Sequence, residues 1–403
     1  MLFRPLPTAP PRTYVPCRGT SPLHAPSSHA SVHAGGHRGR VGRAVAAGAI
    51  LAAMLLMSPV ARARDGESGN GELHRARQAL GELSTSYWDA ARADWRNIHA
   101  WQRFVIISTL SDYEHLSNDR GFHATAMQAL ANRRGLDGND DDLWVAQADL
   151  DMARLTHMPA LLSDARRIFD MVAHQYWDAH CRGGVWWDHA RTYKNAITNE
   201  LFLATALRLY QQTHDTTYRD WASKRWAWLR DSGLINAAGL VNDGLDAHCA
   251  NNGGPAYSYN QGVILDALAD LSALRHDPQD MAMAARIATA AIAASRGPDD
   301  TFHEAREPMD MDAWIFRGIF VRALGHLMPA LPDGPQRTTL ATWLMEEGNH
   351  VWATRRPSAR FSATWAPGTP FVPGAQAQLT AAALFLATVQ DRNGTDDTKA
   401  HTQ

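Results

Sequence analysis

The chain has 403 residues, a formal net charge of −2 and 45% hydrophobic residues. That length is ample for one large core. A charge this close to zero gives no electrostatic reason to expect nucleic acid or an anionic membrane as partner.

Residues 1–43 are rich in Pro, Gly, His and Arg and show no hydrophobic period. An apolar run follows, from Ala44 to Met57, preceded by Arg38, Arg40 and Arg43 and followed by Ala61-Arg62-Ala63. A basic flank, a short apolar core and a small-x-small site describe a secretory signal peptide with cleavage after Ala63. The run is short for a stable membrane span, although an uncleaved anchor is the alternative. Residues 1–63 are therefore read as leader and residues 64–403 as a single exported domain, secreted or periplasmic. Cys17 leaves with the leader. Cys181 and Cys249 remain, and in an exported protein they either pair or stay as two free thiols; spacing alone does not decide.

Beyond the leader the chain reads as nearly all helix. Apolar residues recur at three- and four-residue spacing, as in Ile197–Ala204 and Ala282–Ala288, with Gly and Pro between the helical blocks. A weak repeat is superimposed. Leu155-Thr156-His157, Gln212-Thr213-His214-Asp215 and Leu274-Arg275-His276-Asp277 each follow one apolar helix and precede another, about 57 and 62 residues apart. At that period the exported chain holds about six helix pairs, which predicts an all-α (α/α)6 barrel, a closed ring of six helical hairpins around a funnel. An open solenoid of helix pairs is the alternative.

The candidate chemistry begins at Asn139-Asp140-Asp141-Asp142-Leu143-Trp144. Paired carboxylates suit hydrolysis of a glycosidic bond, one attacking the sugar carbon and one protonating the leaving oxygen. By itself such a run is more commonly a solvated helix start, where Asp caps free N–H groups. Trp144, Trp186, Trp187, Trp314 and Trp365 fall on or near loops, where indole faces suit sugar C–H faces; core packing is the competing reading. Asn195 and Asn199 lie one turn apart and share a helix face with Lys194 nearby, either as hydroxyl-recognising groups or as core amides satisfied by backbone. Asp243 is a turn residue or a hydroxyl acceptor. Tyr259, Asn260 and Gln261 open a helix, so their side chains are expected at the funnel mouth. Asp310 and Asp312 precede Trp314 and suit either a distal sugar or a helix cap. The metal, P-loop, dinucleotide and serine-elbow motifs are missing, so no cofactor or metal is expected.

These motifs, in this order, resemble glycoside hydrolase family 76, the endo-α-1,6-mannanases and their relatives. The resemblance runs from about Trp101 to about Ala382. It is carried by Trp101-Gln102 with Asp112-Tyr113, by Asp140-Asp141-x-x-Trp144-x-Ala146 and by Gly183-Gly184-Val185-Trp186-Trp187. Tyr193–Leu201, Gly239–Gly244, Tyr259-Asn260-Gln261-Gly262 and Phe316-Arg317-Gly318-Ile319-Phe320 complete it. It implies an (α/α)6 barrel that cuts α-1,6-mannose backbones with retention, with Asp140 as nucleophile and Asp141 as acid/base. It also implies sugar contacts from Trp101, Gln102, Trp144, Trp186, Trp187, Lys194, Asn195, Asn199, Asp243, Tyr259, Asn260, Gln261, Asp312 and Arg317. The chain departs from the family in a third aspartate, Asp142, in Val145 where a second Trp is usual, and in Arg317 where Lys is usual. The third aspartate leaves two registers, Asp140-Asp141 and Asp141-Asp142; Trp144 and Ala146 favour the first.

Adjacent short carboxylates on a helical turn diverge to roughly 5–6 Å, the separation for retention; the wider inverting geometry is hard for neighbours to reach. The expected activity is a secreted, monomeric α-1,6-mannanase acting on mannan polysaccharide or oligosaccharide. A transglycosylase of the same family would use the same residues, and a mannan-binding protein without catalysis would use the same fold. A lyase or epimerase on an α/α toroid is more distant, since no His or Tyr base constellation stands out.

Overall fold

The computed structural model describes the backbone of residues 59–400 and the side chains of residues 70–390. Residues 1–58, with the apolar run and Cys17, lie outside the described residues, and the expected cleavage point after Ala63 falls inside the first helix. The described residues fall in one compact unit.

Twelve α-helices run through the described residues: α1 (Pro59–Tyr87), α2 (Gln102–Ser117), α3 (His123–Leu130), α4 (Asn139–Thr156), α5 (Pro159–Gln175), α6 (Ala196–Thr213), α7 (Thr216–Asp231), α8 (Ser258–Arg275), α9 (Pro278–Ser295), α10 (Ala313–Leu327), α11 (Pro335–Ala353) and α12 (Ala375–Ala400). Two short antiparallel strands, β1 (Trp88–Asp89) and β2 (Asp94–Trp95), bridge α1 and α2. The even-numbered helices form an inner ring in which each packs on the next and α12 closes on α2. The odd-numbered helices lie outside, with α5 on α4, α7 on α6, α9 on α8 and α11 on α12. The sixth hairpin joins the two ends of the chain, as α1 packs against α12. The ring is closed, as the helical-hairpin count predicts.

The three histidine repeats have a conformational cause. His157, His214 and His276 each take the left-handed conformation at φ of 55°, 56° and 52°, and each N–H donates to the carbonyl four residues back. His is among the non-glycine residues enriched in that region, and its use there stops the inner helix and reverses the chain. Asp215 and Asp277 then cap α7 and α9 by accepting from Thr217 and Gln279 N–H.

Because hairpins alternate direction, the N-termini of all six inner helices meet at one mouth. The opposite end is closed by ion pairs between inner helices. Arg322 of α10 meets Asp112 of α2 at 2.6 Å and Asp151 of α4 at 3.2 Å. Arg208 of α6 meets Asp151 at 3.1 Å and Asp266 of α8 at 2.5 Å. His326 joins Asp266 at 2.8 Å and Asp112 at 3.4 Å.

Candidate active site

Asp140, Asp141 and Asp142 occupy the first turn of α4 after Gly138, and the structure separates their surroundings. Asp140 Oδ2 accepts the indole N–H of Trp187 at 2.9 Å. Its Oδ1 is shielded and has no hydrogen-bond partner of good geometry among the described residues. Asp141 Oδ2 accepts the backbone N–H of Asp137 at 2.8 Å. Asp142 instead turns towards His189, at 3.5 Å. Gly138 has φ of 136°, and a Cβ there would come within 2.8 Å of Asp140 Oδ1. Glycine is thus required both by the backbone and by the carboxylate it supports.

Burial pushes both Asp140 and Asp141 well above the usual carboxylate range. The Trp187 N–H and the N–H groups at the helix start oppose this at Asp140. At Asp141 the neighbouring Asp140 charge adds to the rise. The environments therefore split the pair, with Asp140 the one favoured to ionise and Asp141 the one favoured to keep its proton. Asp142 shares neither arrangement, since its carboxylate faces His189.

An aromatic chain crosses the mouth above the pair. Trp101 stacks on Trp144 at 5.9 Å between centroids and approaches Phe316 at 6.3 Å. Phe316 lies flat on Tyr259 at 3.9 Å. Trp101 Nε1 donates to Asp312 Oδ1 at 2.9 Å, and His99 Nδ1 lies 2.5 Å from the same oxygen. Asp312 also contributes to raising Asp141. Across the mouth, the Tyr193 hydroxyl donates to Asp243 Oδ2 at 2.7 Å, so Asp243 is more than a turn residue. Burial raises Tyr259 well above its usual range, helped by the charges of Asp243, Asp140 and Glu200. Trp101, Trp144, Trp187, Asp243, Tyr259 and Asp312 are thus brought together around the pair.

Other expected sugar contacts are spent inside the protein. Lys194 Nζ donates to Asp178 Oδ1 at 2.7 Å and to the carbonyls of His180 and Gly183 at 2.7 and 2.8 Å. All three ammonium donors are used, so Lys194 organises the loop of residues 176–195. Trp186 donates to Asp178 Oδ2 at 2.7 Å and its ring is stacked on His180, which takes up the face expected for sugar. Asn195 is the N-cap of α6, accepting from Thr198 N–H. Asn199 accepts from Val185 N–H and donates to the carbonyls of Val185 and Asn195, so the core-amide reading holds for it. Gln261 bonds both backbone groups of Val241. Gln102 donates to Met311 carbonyl and accepts from Gln376, tying the starts of α2, α10 and α12. Arg317 is buried, donates to Phe302 carbonyl and stacks on Trp365. These residues position the mouth and do not face it. Asn260 differs: it is fully buried, yet both amide atoms lack a partner among the described residues.

Two carboxyl groups of the site escape sequence reading. Asp178 anchors both Lys194 and Trp186. Glu200, on α6, is fully buried, and neither of its oxygens has a hydrogen-bond partner among the described residues. Burial and the Asp243 charge push it well above its usual range. The only signal in the sequence is a charged residue inside the apolar run from Ile197 to Ala204.

Cys181 and Cys249 form a disulfide, joining the loop of residues 176–195 to the turn after Asp243. Among the described residues one grouping of metal-capable side chains occurs, His180 with these two cysteines, and their sulfurs are spent on each other.

Comparison with known proteins follows the same lines. The chain is 27% identical over 298 residues to the mannan endo-1,6-α-mannosidase DCW1 of Eremothecium gossypii, covering 67% of this chain and 64% of that protein. It thus spans just under two thirds of that relative's length. The DCW1 protein of Saccharomyces cerevisiae is 28% identical over 239 residues, 53% of this chain and 51% of that one. Among solved structures, the GH76A α-1,6-mannanase of a Salegentibacter species superposes with a TM-score of 0.70 at 20% identity, over 79% of this chain and 98% of that one. An inactive variant of the same enzyme, with two consecutive aspartates replaced, was solved with α-1,6-mannotriose at the same TM-score and identity, over 79% and 99%. At this identity these likenesses show the shared fold. The sequence model of glycosyl hydrolase family 76 matches residues 72–398, and the chain belongs to that family.

Proposed function

We propose that this protein is a retaining glycoside hydrolase that cleaves α-1,6-mannosidic linkages by double displacement. The observation that carries the reading is the split environment of two consecutive aspartates at the mouth of the ring. Asp140 presents an unpartnered Oδ1, while Trp187 holds Oδ2 and favours the ionised form. It attacks the anomeric carbon to give a glycosyl-enzyme. Asp141, kept protonated by burial and by the Asp140 charge, gives its proton to the leaving oxygen. Once Asp140 is esterified its charge is gone, Asp141 becomes more acidic, and it can accept a proton from the incoming water. Trp101 and Tyr259, the part-exposed members of the aromatic chain, offer ring surface, and Asp243 and Asp312 offer hydroxyl acceptors.

Support for the substrate comes from the relatives. Those of known name are mannan endo-1,6-α-mannosidases, and the Salegentibacter enzyme is inactive when two consecutive aspartates are changed. We further infer export with removal of residues 1–63, leaving residues 64–403 as one catalytic domain that acts as a monomer. The Cys181–Cys249 disulfide suits an oxidising compartment. Among the described residues no helix is long and apolar enough to cross a membrane.

The test is incubation of the purified protein with linear α-1,6-manno-oligosaccharides and with branched mannan, reading products by size. Shortened oligomannosides, lost in Asp140→Asn and Asp141→Asn, are expected. Intact substrate with retained binding would favour a mannan-binding protein. Elongated products with excess acceptor would favour transglycosylation.

A further inference from the structure

The two aspartates of the pair meet different walls of the mouth. On the Asp140 side stands the loop of residues 176–195, through the Trp187 indole. On the Asp141 side stands a second loop, residues 96–101, which leads into α2. Between that loop and Asp141 lies the turn before α4, whose Asp137 N–H donates to Asp141 Oδ2 at 2.8 Å. Gly135 of this turn takes φ of 79°, and a Cβ on it would come within 3.3 Å of Ala100 Cβ. The charge of Asp312, at the start of α10, also bears on Asp141.

The second loop is braced. Asn97 carbonyl accepts from Gln376 Nε2 at 2.9 Å, and the His99 backbone N–H donates to Gln102 Oε1 at 3.1 Å. From this frame His99 Nδ1 lies 2.5 Å from Asp312 Oδ1. A ring nitrogen facing a carboxylate carries the proton, so His99 is the donor. Trp101 Nε1 donates to the same oxygen at 2.9 Å, and Gln102 Nε2 approaches it at 3.4 Å. Three donors therefore converge on Oδ1, while Oδ2 takes no hydrogen bond among the described residues. A carboxylate accepts at both oxygens, so a clamp on one fixes the group and leaves the other available. The side chains of His99 and Asp312 are 44% and 39% exposed, so this free oxygen belongs to the open part of the mouth.

In a retaining mechanism the nucleophile attacks opposite the leaving oxygen, and the acid stands beside that oxygen. The sugar beyond the scissile bond thus lies towards Asp141 and the wall formed by residues 96–101 with Asp312. We propose, resting on the glycosidase reading above, that Asp312 Oδ2 accepts a hydroxyl of the mannose on the leaving side of the scissile bond, and that His99 is the positioning residue that aims it. His99 acts through Asp312: without its N–H, the carboxylate keeps only the Trp101 and Gln102 donors and is free to turn.

The test compares two substrates across pH with the full chain. α-1,6-Mannotetraose has a sugar as leaving group, and α-1,6-mannotriosyl fluoride has none. Asp312→Asn and His99→Phe should each lose at least tenfold more kcat/KM on the tetraose than on the fluoride, at the plateau of the pH profile. The ratio of the two losses does not depend on the folded fraction. His99→Gln keeps an N–H for Asp312 and should stay within about threefold of the parent on both substrates. Equal losses on the two substrates would overturn the proposal. So would a loss on the tetraose that appears only as a displaced basic limb, because Asp312 would then act on the Asp141 proton and not on sugar. A His99→Gln protein as impaired as His99→Phe would remove the role given to His99. A parent that turns over both substrates while its variants lose both equally sinks this proposal alone. A parent that turns over neither sinks the glycosidase reading and this proposal with it.

Discussion

Trp187 donates its indole N–H to Asp140 Oδ2 at 2.9 Å, across 47 residues of sequence, and fixes one side of the aspartate pair. The residue is held in turn, since the Trp187 backbone N–H donates to Tyr193 carbonyl at 2.7 Å and the Tyr193 hydroxyl donates to Asp243. In the proposed mechanism Trp187 acts on the reaction through a carboxylate, whatever sugar its face also meets.

Trp187→Phe keeps a flat ring and removes the N–H. A hydrogen bond to a charged group is worth about 1.5–3 kcal/mol, so kcat/KM should fall roughly ten- to a hundredfold. Loss of that donor raises Asp140 further, so the acid limb of the pH–rate profile should move to higher pH. A fall confined to KM with an unmoved acid limb would make Trp187 a stacking surface only.

Asn199→Leu should cost stability and not specificity. It leaves the Val185 N–H and two carbonyls without their partner in the core, and each buried unsatisfied group costs about 1–3 kcal/mol. Urea unfolding should show a lower midpoint, with the folded fraction retaining its KM. A raised KM at unchanged stability would return Asn199 to the sugar.

The gap between these residues and their sequence reading has a physical cause. Helical periodicity and the left-handed histidines are local properties, so the six-hairpin ring is legible from the chain. The placement of the aspartate pair at a helix start is legible because it too is a local property of the chain. Residue type and position point Lys194, Asn199 and Gln261 towards sugar, but a polar side chain's partner is set by which loop folds over it. The loop of residues 176–195 captures Lys194 and Asn199, and the turn at Val241 captures Gln261. Asp178 and Glu200 went unread for the same reason.

The ionic closure at the far end should give a two-sided pH window. His326 is raised to about 9 by Asp112 and Asp266, against desolvation. Its contribution is full below its unfolded value of about 6.5 and is lost as pH rises through about 9. Asp112 and Asp266 are held below the usual carboxylate range by Arg322, Arg208 and His326, so theirs is full above about 4 and is lost in acid. The melting-temperature gap between wild type and His326→Gln should be widest near pH 5–6 and shrink by pH 10. A gap constant across that range would mean that His326 acts by packing alone.

Removing the disulfide with Cys181→Ser/Cys249→Ser should cost about 2–4 kcal/mol, because it closes a long loop in the unfolded chain. It should also lower turnover below what the folded fraction explains, since the bond ties the loop bearing Trp187 to the turn beside Asp243. Full specific activity in the folded fraction would separate the bond from the site.

The most direct test of the central claim is proton NMR of the first products released from an α-1,6-manno-oligosaccharide. Attack by Asp140 followed by water inverts the anomeric carbon twice, so the α-anomer should appear first and mutarotate later. An initial β-anomer would mean a single inversion with water as the nucleophile, and would contradict the role assigned to Asp140.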